Sequence, residues 1–324
     1  MPKRVKDTPT LDDFGMLEAT SKSSLRMDYL RHYEEMLSPY RHKKINLIEI
    51  GVQNGASLRM WEKYFSKAVI VGIDINEKAK KHETDRSTVE IGSQADRQFL
   101  TRVAKSHPPT VVVDDGSHRA DYTILSLETL FPMLEPGGCY IIEDLFLHFG
   151  SAAEQWRGEA TITPVTYLER LLPGILSKPV TGLPKPDDEI VDLIDRYCVI
   201  PGAIFIWKVR SKADLIKTIA HAKDVVARTN IAVNWVYLTI FIMKNGGPGE
   251  EAEFAARTAV SLEPSTRSYR VLSQALQFRG QLDGAIEAME LALAAAKQPH
   301  EKAVVSNGLA SLVARRERMV GQSA

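Results

Sequence analysis

Short apolar runs alternate with amphipathic stretches between residues 45 and 145 of the chain. The apolar runs predict buried strands at 45–50, 69–74, 89–91, 111–114 and 139–143. The stretches between them, near 57–65, 95–106 and 121–134, have helical spacing. Such alternation predicts an α/β fold with a doubly wound sheet and right-handed crossovers.

Further elements are predicted on either side of this pattern. Residues 1–40 predict a polar arm and a lid helix, since apolar residues recur every fourth position from Leu25 to Leu37 within 24–37. The proline-containing segment 146–190 predicts a long active-site cover with one or two short helices. Strand-like runs on both sides of Pro201-Gly202, at 197–200 and 203–209, predict an antiparallel hairpin.

The composition becomes rich in alanine after residue 210, and an internal repeat with an offset of 33 residues follows. Gly247, Ala252 and Ala259 recur as Gly280, Ala285 and Ala292. This period resembles that of tetratricopeptide repeats (TPR). We therefore expect an arm and lid helix at 1–40, a cofactor-binding domain at 41–210 and a helical, TPR-like domain at 211–324, with a generic helical hairpin domain as the alternative for the last.

Charge and cysteine content exclude several classes of protein. Lysine plus arginine and aspartate plus glutamate both total 41, so no basic field favours nucleic acid. The longest apolar run, 235–243, is about half of what a bilayer requires, which predicts no membrane insertion. The two cysteines and the polar start of the chain predict a cytoplasmic protein with reduced thiols.

A glycine loop after the first strand predicts a nucleoside-type ligand. Glu49, Gly51, Gly55 and Ser57 combine a sharp turn with the free amides of a helix start, and Asp74 ends the second strand where a ribose is commonly bound. The loop lacks both phosphate-binding patterns of nucleotide sites. The glutamate disfavours a pyrophosphate but tolerates an ammonium group, which indicates S-adenosylmethionine. The alternative is a tight turn with a solvated aspartate.

The segment after the third strand, Gly92 to Asp96, contains two more candidate ligand contacts. Ser93 and Gln94 are placed to hydrogen-bond an adenine edge. The alternative is a helix cap, because Ser93 stands three residues before Asp96. Both interpretations stay open, since a cap does not exclude a ligand.

The fourth and fifth strands both end in carboxylates. Asp115 follows one, and Glu143 and Asp144 follow the other. Neighbouring strands lie about 5 Å apart, so these acids repel unless a cation neutralises them, and oxygen ligands suit Mg²⁺. His118 is near enough to act as a base. The alternative is a helix-capping aspartate and a partly exposed histidine.

Together these motifs resemble the class I S-adenosylmethionine-dependent sugar O-methyltransferases of natural-product pathways. That family includes macrolide deoxysugar and rhamnosyl enzymes and relatives of the cephalosporin hydroxylase group. The resemblance covers residues 20–210 and includes Glu49-Ile50-Gly51-Val52-Gln53, Asp114-Asp115-Gly116-Ser117-His118 and Ile142-Glu143-Asp144-Leu145. It implies a Rossmann-like methyltransferase sheet.

The resemblance also implies roles for individual residues. Mg²⁺ is expected on Asp115, Glu143 and Asp144, with His118 as general base, and Asp114 joins the expected cofactor contacts. Two features depart from the family pattern. Thr20-Ser21-Lys22 and Met27-Asp28-Tyr29 keep only part of an amino-terminal motif, and Ser93 stands where aspartate is common.

The expected reaction is methyl transfer to a sugar hydroxyl, with Mg²⁺ chelating a vicinal diol. Asp115 is therefore counted with His118 as catalytic. We also expect a homo-oligomer and a possible protein partner at the C-terminal repeats. Three alternatives stay open: a phenolic or catechol O-methyltransferase, a β-lactam hydroxylase-like relative, and a TPR-type scaffold with a vestigial cofactor site.

Overall fold

The computed structural model describes residues 8–177, 189–229 and 231–321 of the chain. The chain divides into two compact units, Met1–Arg210 and Ser211–Ala324. No helix within the described ranges is long and apolar enough to cross a membrane.

The first unit contains a seven-stranded sheet. Its strands are β1 Asn46–Ile50, β2 Val69–Asp74, β3 Ser87–Ile91, β4 Val111–Asp114, β5 Cys139–Ile142, β6 Ile194–Ile200 and β7 Ala203–Lys208. The order is β3-β2-β1-β4-β5-β7-β6. Strands β1 to β5 are parallel, and β7 runs antiparallel to both β5 and β6. The predicted doubly wound sheet and its C-terminal hairpin are confirmed.

Helices accompany the sheet, and its two faces are both buried. The α-helices of this unit are α1 Leu11–Leu17, α2 Leu30–Leu37, α3 Ala56–Tyr64, α4 Arg97–Ser106, α5 Ala120–Leu130, α6 Pro164–Ser177 and α7 Glu189–Leu193. Successive strand residues enter opposite cores: Leu47 packs with Trp61, whereas Ile48 packs with Leu127. This double burial explains why the central strands are continuous apolar runs.

Helix α2 is shorter than the spacing of apolar residues predicts. The helix expected over 24–37 begins only at Leu30. Asp28 adopts a left-handed backbone with φ of 57°, which interrupts a helix, and Leu25 is 78% exposed. The four-residue spacing is therefore accidental at Leu25. Sequence reasoning also missed α1, which Thr10 and Asp13 cap reciprocally.

The segment after β5 contains more helix than the one or two short helices predicted, since α6 alone has 14 residues. Two 3-10 helices, Leu145–His148 and Gly150–Trp156, precede α6 and α7. Part of the predicted cover, residues 178–188, lies outside the described residues, as do residues 1–7 of the arm. The role of this segment as a cover stays a prediction.

The second unit is helical. Its helices are α8 Lys212–Ala227, α9 Ala232–Lys244, α10 Gly249–Leu262, α11 Thr266–Phe278, α12 Leu282–Ala295 and α13 Pro299–Gly321. The repeat alanines are fully buried: Ala252, Ala259, Ala285 and Ala292. Helices α10 and α12 begin 33 positions apart, and α11 and α13 keep the same interval. The internal repeat thus corresponds to repeated helical hairpins, and kinship with TPR proteins stays a prediction.

Candidate functional site

The predicted acidic residues meet at the carboxyl ends of two neighbouring strands. In the β4–β5 pair, Asp114 lies opposite Ile142, so Asp115 and Glu143 follow at the same level. The Glu143 amide also donates to the Asp114 carbonyl at 3.0 Å. The predicted adjacency of the two strand ends is therefore observed.

One compact group of metal-ligating side chains lies at this edge. Single ligand atoms of Asp115, His118 and Asp144 lie within 4.8 Å of one another. His118 Nε2 is 3.9 Å from Asp115 Oδ1 and 3.8 Å from Asp144 Oδ2. Two carboxylates and an imidazole thus face a common point, and all three side chains retain partial solvent access.

The backbone is left-handed at two of these three residues. His118 has φ of 57° and Asp144 has φ of 56°, and Gln53 in the glycine loop has φ of 50°. Such a conformation costs a non-glycine residue on the order of 1 kcal/mol. All three stand just beyond parallel strands, where the surrounding structure holds them despite the cost.

Lys22 is a central residue of the site that sequence reasoning missed. Its side chain is only 2% exposed, and its ammonium donates to Asp115 Oδ2 and, at 2.8 Å, to Glu143 Oε2. Glu49 Oε1 lies 3.5 Å from the same nitrogen. Burial alone would lower the pKa of Lys22, but the neighbouring carboxylates raise it well above its ordinary value. Lys22 is therefore a buried cation among three acids.

Two tyrosines from the same amino-terminal region complete the contacts to these acids. Tyr29 donates its hydroxyl to Asp144 Oδ1 at 2.9 Å, and Tyr33 donates to Glu143 Oε1 at 2.6 Å. A Cβ built on Gly202, in the β6–β7 turn, would lie 2.5 Å from the Tyr29 hydroxyl. The partly matched arm motif held the available signal, since it contains both Lys22 and Tyr29.

Glu143 differs from Asp115 and Asp144 in its surroundings. Its oxygens are contacted by Lys22 and Tyr33, and burial raises the pKa of its carboxyl above the usual range despite the lysine. The structure therefore brings Asp115 and Asp144 together with His118 and places Glu143 on the lysine side. Whether all three acids bind one ion stays a prediction.

The glycine loop approaches the end of β4 closely. Gly51 has φ of 96°, and a Cβ at this position would lie 2.2 Å from the Asp115 carbonyl oxygen. Asp74 Oδ2 accepts hydrogen bonds from the amides of Val52 and Gln53, both at 3.0 Å. The aspartate thus shapes the loop, and its predicted contact with a ribose stays a prediction.

The first residues of α3 hold the buried glutamate of the loop. Ser57 donates its hydroxyl to Glu49 Oε2 at 2.7 Å, and Gly55 is the N-cap with φ of 71°. Burial raises the pKa of Glu49. Among the described residues, Glu49 Oε1 has no hydrogen-bond partner, although the Lys22 ammonium is nearby.

Gln94 and Asp114 support the loop that carries His118. The Gln94 amide donates to Asp114 Oδ1 at 2.7 Å and accepts from the Ser117 amide at 3.0 Å. Burial raises the pKa of Asp114 to about 7, against hydrogen bonds from Tyr140 and Gln94 that lower it. Ser93 accepts from the Ala95 amide at 3.1 Å. These structural roles are observed, and the predicted cofactor contacts of the three residues stay predictions.

The segment after β5 places His148, Trp156 and Arg157 near the site with buried nitrogens that have no partner among the described residues. The Trp156 ring meets His118 edge-on, with ring centroids 6.0 Å apart. Among the described residues of this segment, three buried nitrogens have no hydrogen-bond partner: His148 Nδ1, Trp156 Nε1 and Arg157 Nε. Burial, followed by the charge of His118, lowers the pKa of His148. Buried nitrogens without partners are uncommon and are expected to meet a ligand or water.

Part of this chain is similar in sequence to characterised enzymes. The Streptomyces olivaceus 8-demethyl-8-alpha-L-rhamnosyl tetracenomycin-C 2'-O-methyltransferase is 33% identical over 178 residues, which are 52% of this chain and 47% of that protein. The Micromonospora griseorubida mycinamicin VI 2''-O-methyltransferase is 31% identical over 194 residues, 57% and 48% of the two chains. This chain is similar to sugar O-methyltransferases. It spans about half the length of these curated relatives.

A solved methyltransferase has the same fold over the matched region. The MycE methyltransferase of the mycinamycin biosynthetic pathway, in complex with Mg and SAH, aligns with a TM-score of 0.56 and 29% identity. The alignment covers 63% of this chain and 55% of that one. A second MycE structure, with Mg, SAH and mycinamycin VI, gives the same TM-score at 30% identity over 63% of this chain and 54% of that one. No family model matches this chain.

Proposed function

We propose that this chain is a metal-dependent O-methyltransferase that transfers a methyl group from S-adenosylmethionine to a sugar hydroxyl of a natural product or glycoconjugate. The observation that carries the proposal is the group of Asp115, His118 and Asp144 at the ends of β4 and β5. The likeness to sugar O-methyltransferases supports the reaction class.

The donor set fits a divalent cation. Asp115 Oδ1 and Asp144 Oδ2 both face His118, and Tyr29 and Lys22 take the opposite oxygens of the two carboxylates. Oxygen ligands suit Mg²⁺, and MycE was solved with Mg. When bound, the ion would supply a Lewis acid for the acceptor diol and S-adenosylmethionine would supply the methyl group.

The loop after β1 fits a nucleoside with an amino-acid tail. At Gly51 the loop lies so close to the Asp115 backbone that there is no room for a side chain between them. The carboxylate of Glu49 is buried and faces the Lys22 ammonium at 3.5 Å, and its negative charge disfavours a phosphate at this position. The remaining proposed contacts are Gly55, Ser57, Asp74, Ser93, Gln94 and Asp114.

His118 is proposed as the general base. Its imidazole lies within 4 Å of one oxygen of Asp115 and one of Asp144. The two carboxylates stabilise the imidazolium that forms when Nε2 accepts the proton of the acceptor hydroxyl. The left-handed backbone at His118 holds the ring at this edge.

Trp156 and Arg157, in the segment after β5, are proposed to bind the acceptor. Trp156 Nε1 and Arg157 Nε can only donate, so the ligand that meets them must offer acceptor oxygens, as a sugar does. The exposed rings of Phe146 and Phe149 flank His148 in the sequence and give an apolar surface for an aglycone. A MycE structure contains mycinamycin VI, which supports a glycosylated acceptor.

The test is methyl transfer from labelled S-adenosylmethionine to a panel of acceptors with Mg²⁺ or with excess EDTA. The panel contains rhamnosyl and deoxysugar glycosides, a catechol and a β-lactam. Labelling of a glycoside that EDTA abolishes is the expected result. Labelling of the catechol alone, or equal labelling in EDTA, would reject the sugar acceptor or the metal respectively.

A scaffold with a vestigial cofactor site is the alternative from another class. Calorimetry with S-adenosylhomocysteine separates it, because a scaffold shows neither binding heat nor a shift in melting temperature. Homo-oligomerisation and a protein partner for the C-terminal repeats stay predictions, to be tested by light scattering and by affinity capture with mass spectrometry.

A further inference from the structure

The amino-terminal region donates a hydrogen bond to every carboxylate predicted to bind the metal. Lys22 donates to Asp115 and Glu143, Tyr33 to Glu143, and Tyr29 to Asp144. The donors come from residues 22–33, far in sequence from the acids. Three donor side chains thus bind three carboxylates, and these hydrogen bonds restrict how the carboxylates can rotate.

Lys22 determines which oxygen of Asp115 is available. The ammonium takes Oδ2, whereas Oδ1 is the atom that lies 3.9 Å from His118. Glu143 Oε2 is bound by the same ammonium. A rotation of either carboxylate breaks a buried, charge-assisted hydrogen bond, so the lysine holds both side chains in one orientation.

The charges at the site also require an internal cation. Glu49, Asp115, Glu143 and Asp144 carry up to four negative charges, and Lys22 contacts three of these acids. A divalent ion and a sulfonium donor carry three positive charges in total. The lysine supplies the fourth, so it complements a bound metal and does not need to leave when the metal arrives.

We propose that Lys22 is a positioning residue of the metal centre, whose fixed ammonium orients Asp115 toward a divalent ion and holds Glu143 beside that centre. This inference rests on the proposed metal dependence. Groups that hold metal ligands from outside typically contribute ten- to a hundredfold to metal affinity, so Lys22 should act on metal binding as well as on turnover.

The test compares Mn²⁺ binding by wild type, Lys22→Met and the control Lys63→Met, followed by calorimetry and by electron paramagnetic resonance. Lys63 forms an exposed ion pair with Glu18 and contacts none of the acids of the centre. We expect Lys22→Met to bind Mn²⁺ at least about tenfold more weakly, and Lys63→Met to bind it like wild type. S-adenosylhomocysteine affinity should change much less than Mn²⁺ affinity in Lys22→Met.

Unchanged or tighter Mn²⁺ binding by Lys22→Met would overturn the inference while leaving the metal-dependent function intact. Absence of Mn²⁺ binding by wild type would instead overturn the proposed function. If Lys22→Met does not fold, acylation of Lys22 in the wild-type protein provides a second test. Acylation of Lys22 should stay slow with and without Mn²⁺, because the lysine remains among the acids, whereas metal-dependent labelling would show that it is only displaced by the ion.

Discussion

At the scale of single residues, the site depends on side chains that are held in costly conformations. His118 and Asp144 both have left-handed backbones, and Lys22 is buried with its charge. Each cost is offset by contacts to the others, because Lys22 and Tyr29 bind the two acids that face the imidazole. Substitutions here should therefore affect chemistry and ligand binding in separable ways.

Replacement of the proposed base should abolish turnover but not cofactor binding. His118→Asn should lower kcat roughly a hundredfold or more, since general bases contribute about 10²–10⁴-fold. S-adenosylhomocysteine affinity, measured by calorimetry, should stay within about twofold. Among the described residues, His118 forms no hydrogen bond with the residues proposed to bind the nucleoside. The exposed His42→Asn serves as the control. Full activity of His118→Asn would assign the base to another group.

Replacement of Trp156 should separate acceptor binding from stability. Trp156→Phe keeps an aromatic ring beside His118 but removes a buried donor that has no partner within the described residues. The loss of one hydrogen bond to the acceptor, worth about 0.5–1.5 kcal/mol, should raise KM about two- to tenfold. Steady-state kinetics and thermal denaturation test this. An unchanged KM with a lower melting temperature would show that the tryptophan only packs.

At the scale of elements, hydrophobic patterning predicted the strands of the sheet but not the contacts that the amino-terminal arm makes. The runs around Val111–Asp114 and Cys139–Ile142 are strands because they are buried on both faces, so a local pattern was enough. Lys22 lies near a left-handed residue, Asp28, and contacts acids about a hundred positions away. No local period carries that information, so only the partly matched motif indicated it.

The turn after β1 should tolerate no side chain. Gly51→Ala places a methyl group 2.2 Å from the Asp115 carbonyl and also strains a left-handed backbone, so it should destabilise the first unit by more than about 3 kcal/mol. Gly150→Ala is the matched control, because Gly150 has φ of +68° but nothing within 4 Å. It should lose only about 1 kcal/mol. Denaturant unfolding measures both, and equal losses would contradict the close approach.

The ion pairs of Glu253 should make the helical unit sensitive to acid. Burial alone would raise the pKa of Glu253, but hydrogen bonds from Arg257 and Arg279 lower it below its usual 4.5. The ionised form therefore stabilises the fold above this usual pKa, and the contribution disappears as pH falls through the lowered value. Glu253→Gln should lose about 0.5–1 kcal/mol at neutral pH and converge with wild type in acid.

The control for this effect is a neighbouring glutamate on the same helix. Glu250 is 84% exposed and lies 3.7 Å from Arg279, so Glu250→Gln should leave stability almost unchanged at each pH. Urea unfolding of both variants between neutral pH and pH 3 is the measurement. A difference between Glu253→Gln and wild type that grows in acid would reverse the sign and reject the argument.

At the scale of the whole molecule, the two compact units have separate cores. We expect calorimetric unfolding to resolve two transitions. S-adenosylhomocysteine at about 100 times its Kd should stabilise only the first unit, by about 2.7 kcal/mol, and Glu253→Gln should shift only the other. A ligand that moves both transitions equally would show that the units unfold together.

A domain boundary near residue 210 is predicted from composition, because the alanine-rich stretch begins where the alternating strands end. Roles were harder to foresee than folds. Asp74 and Gln94 were predicted from their positions to contact a cofactor, which stays a prediction, whereas the structure shows that they organise loops. A polar residue at a strand end indicates where its side chain lies, but not which other protein groups form hydrogen bonds with it.

The glycine of the β6–β7 hairpin carries a consequence for any attempt to redesign this protein. Gly202 accepts a hydrogen bond from the Leu145 amide at 2.8 Å and abuts the Tyr29 hydroxyl, which binds Asp144. Hairpin tips are ordinarily the safest places to insert peptide tags or to graft foreign loops. Here an insertion would push on the tyrosine and through it on the reacting edge, so affinity tags and biosensor fusions belong elsewhere on the chain.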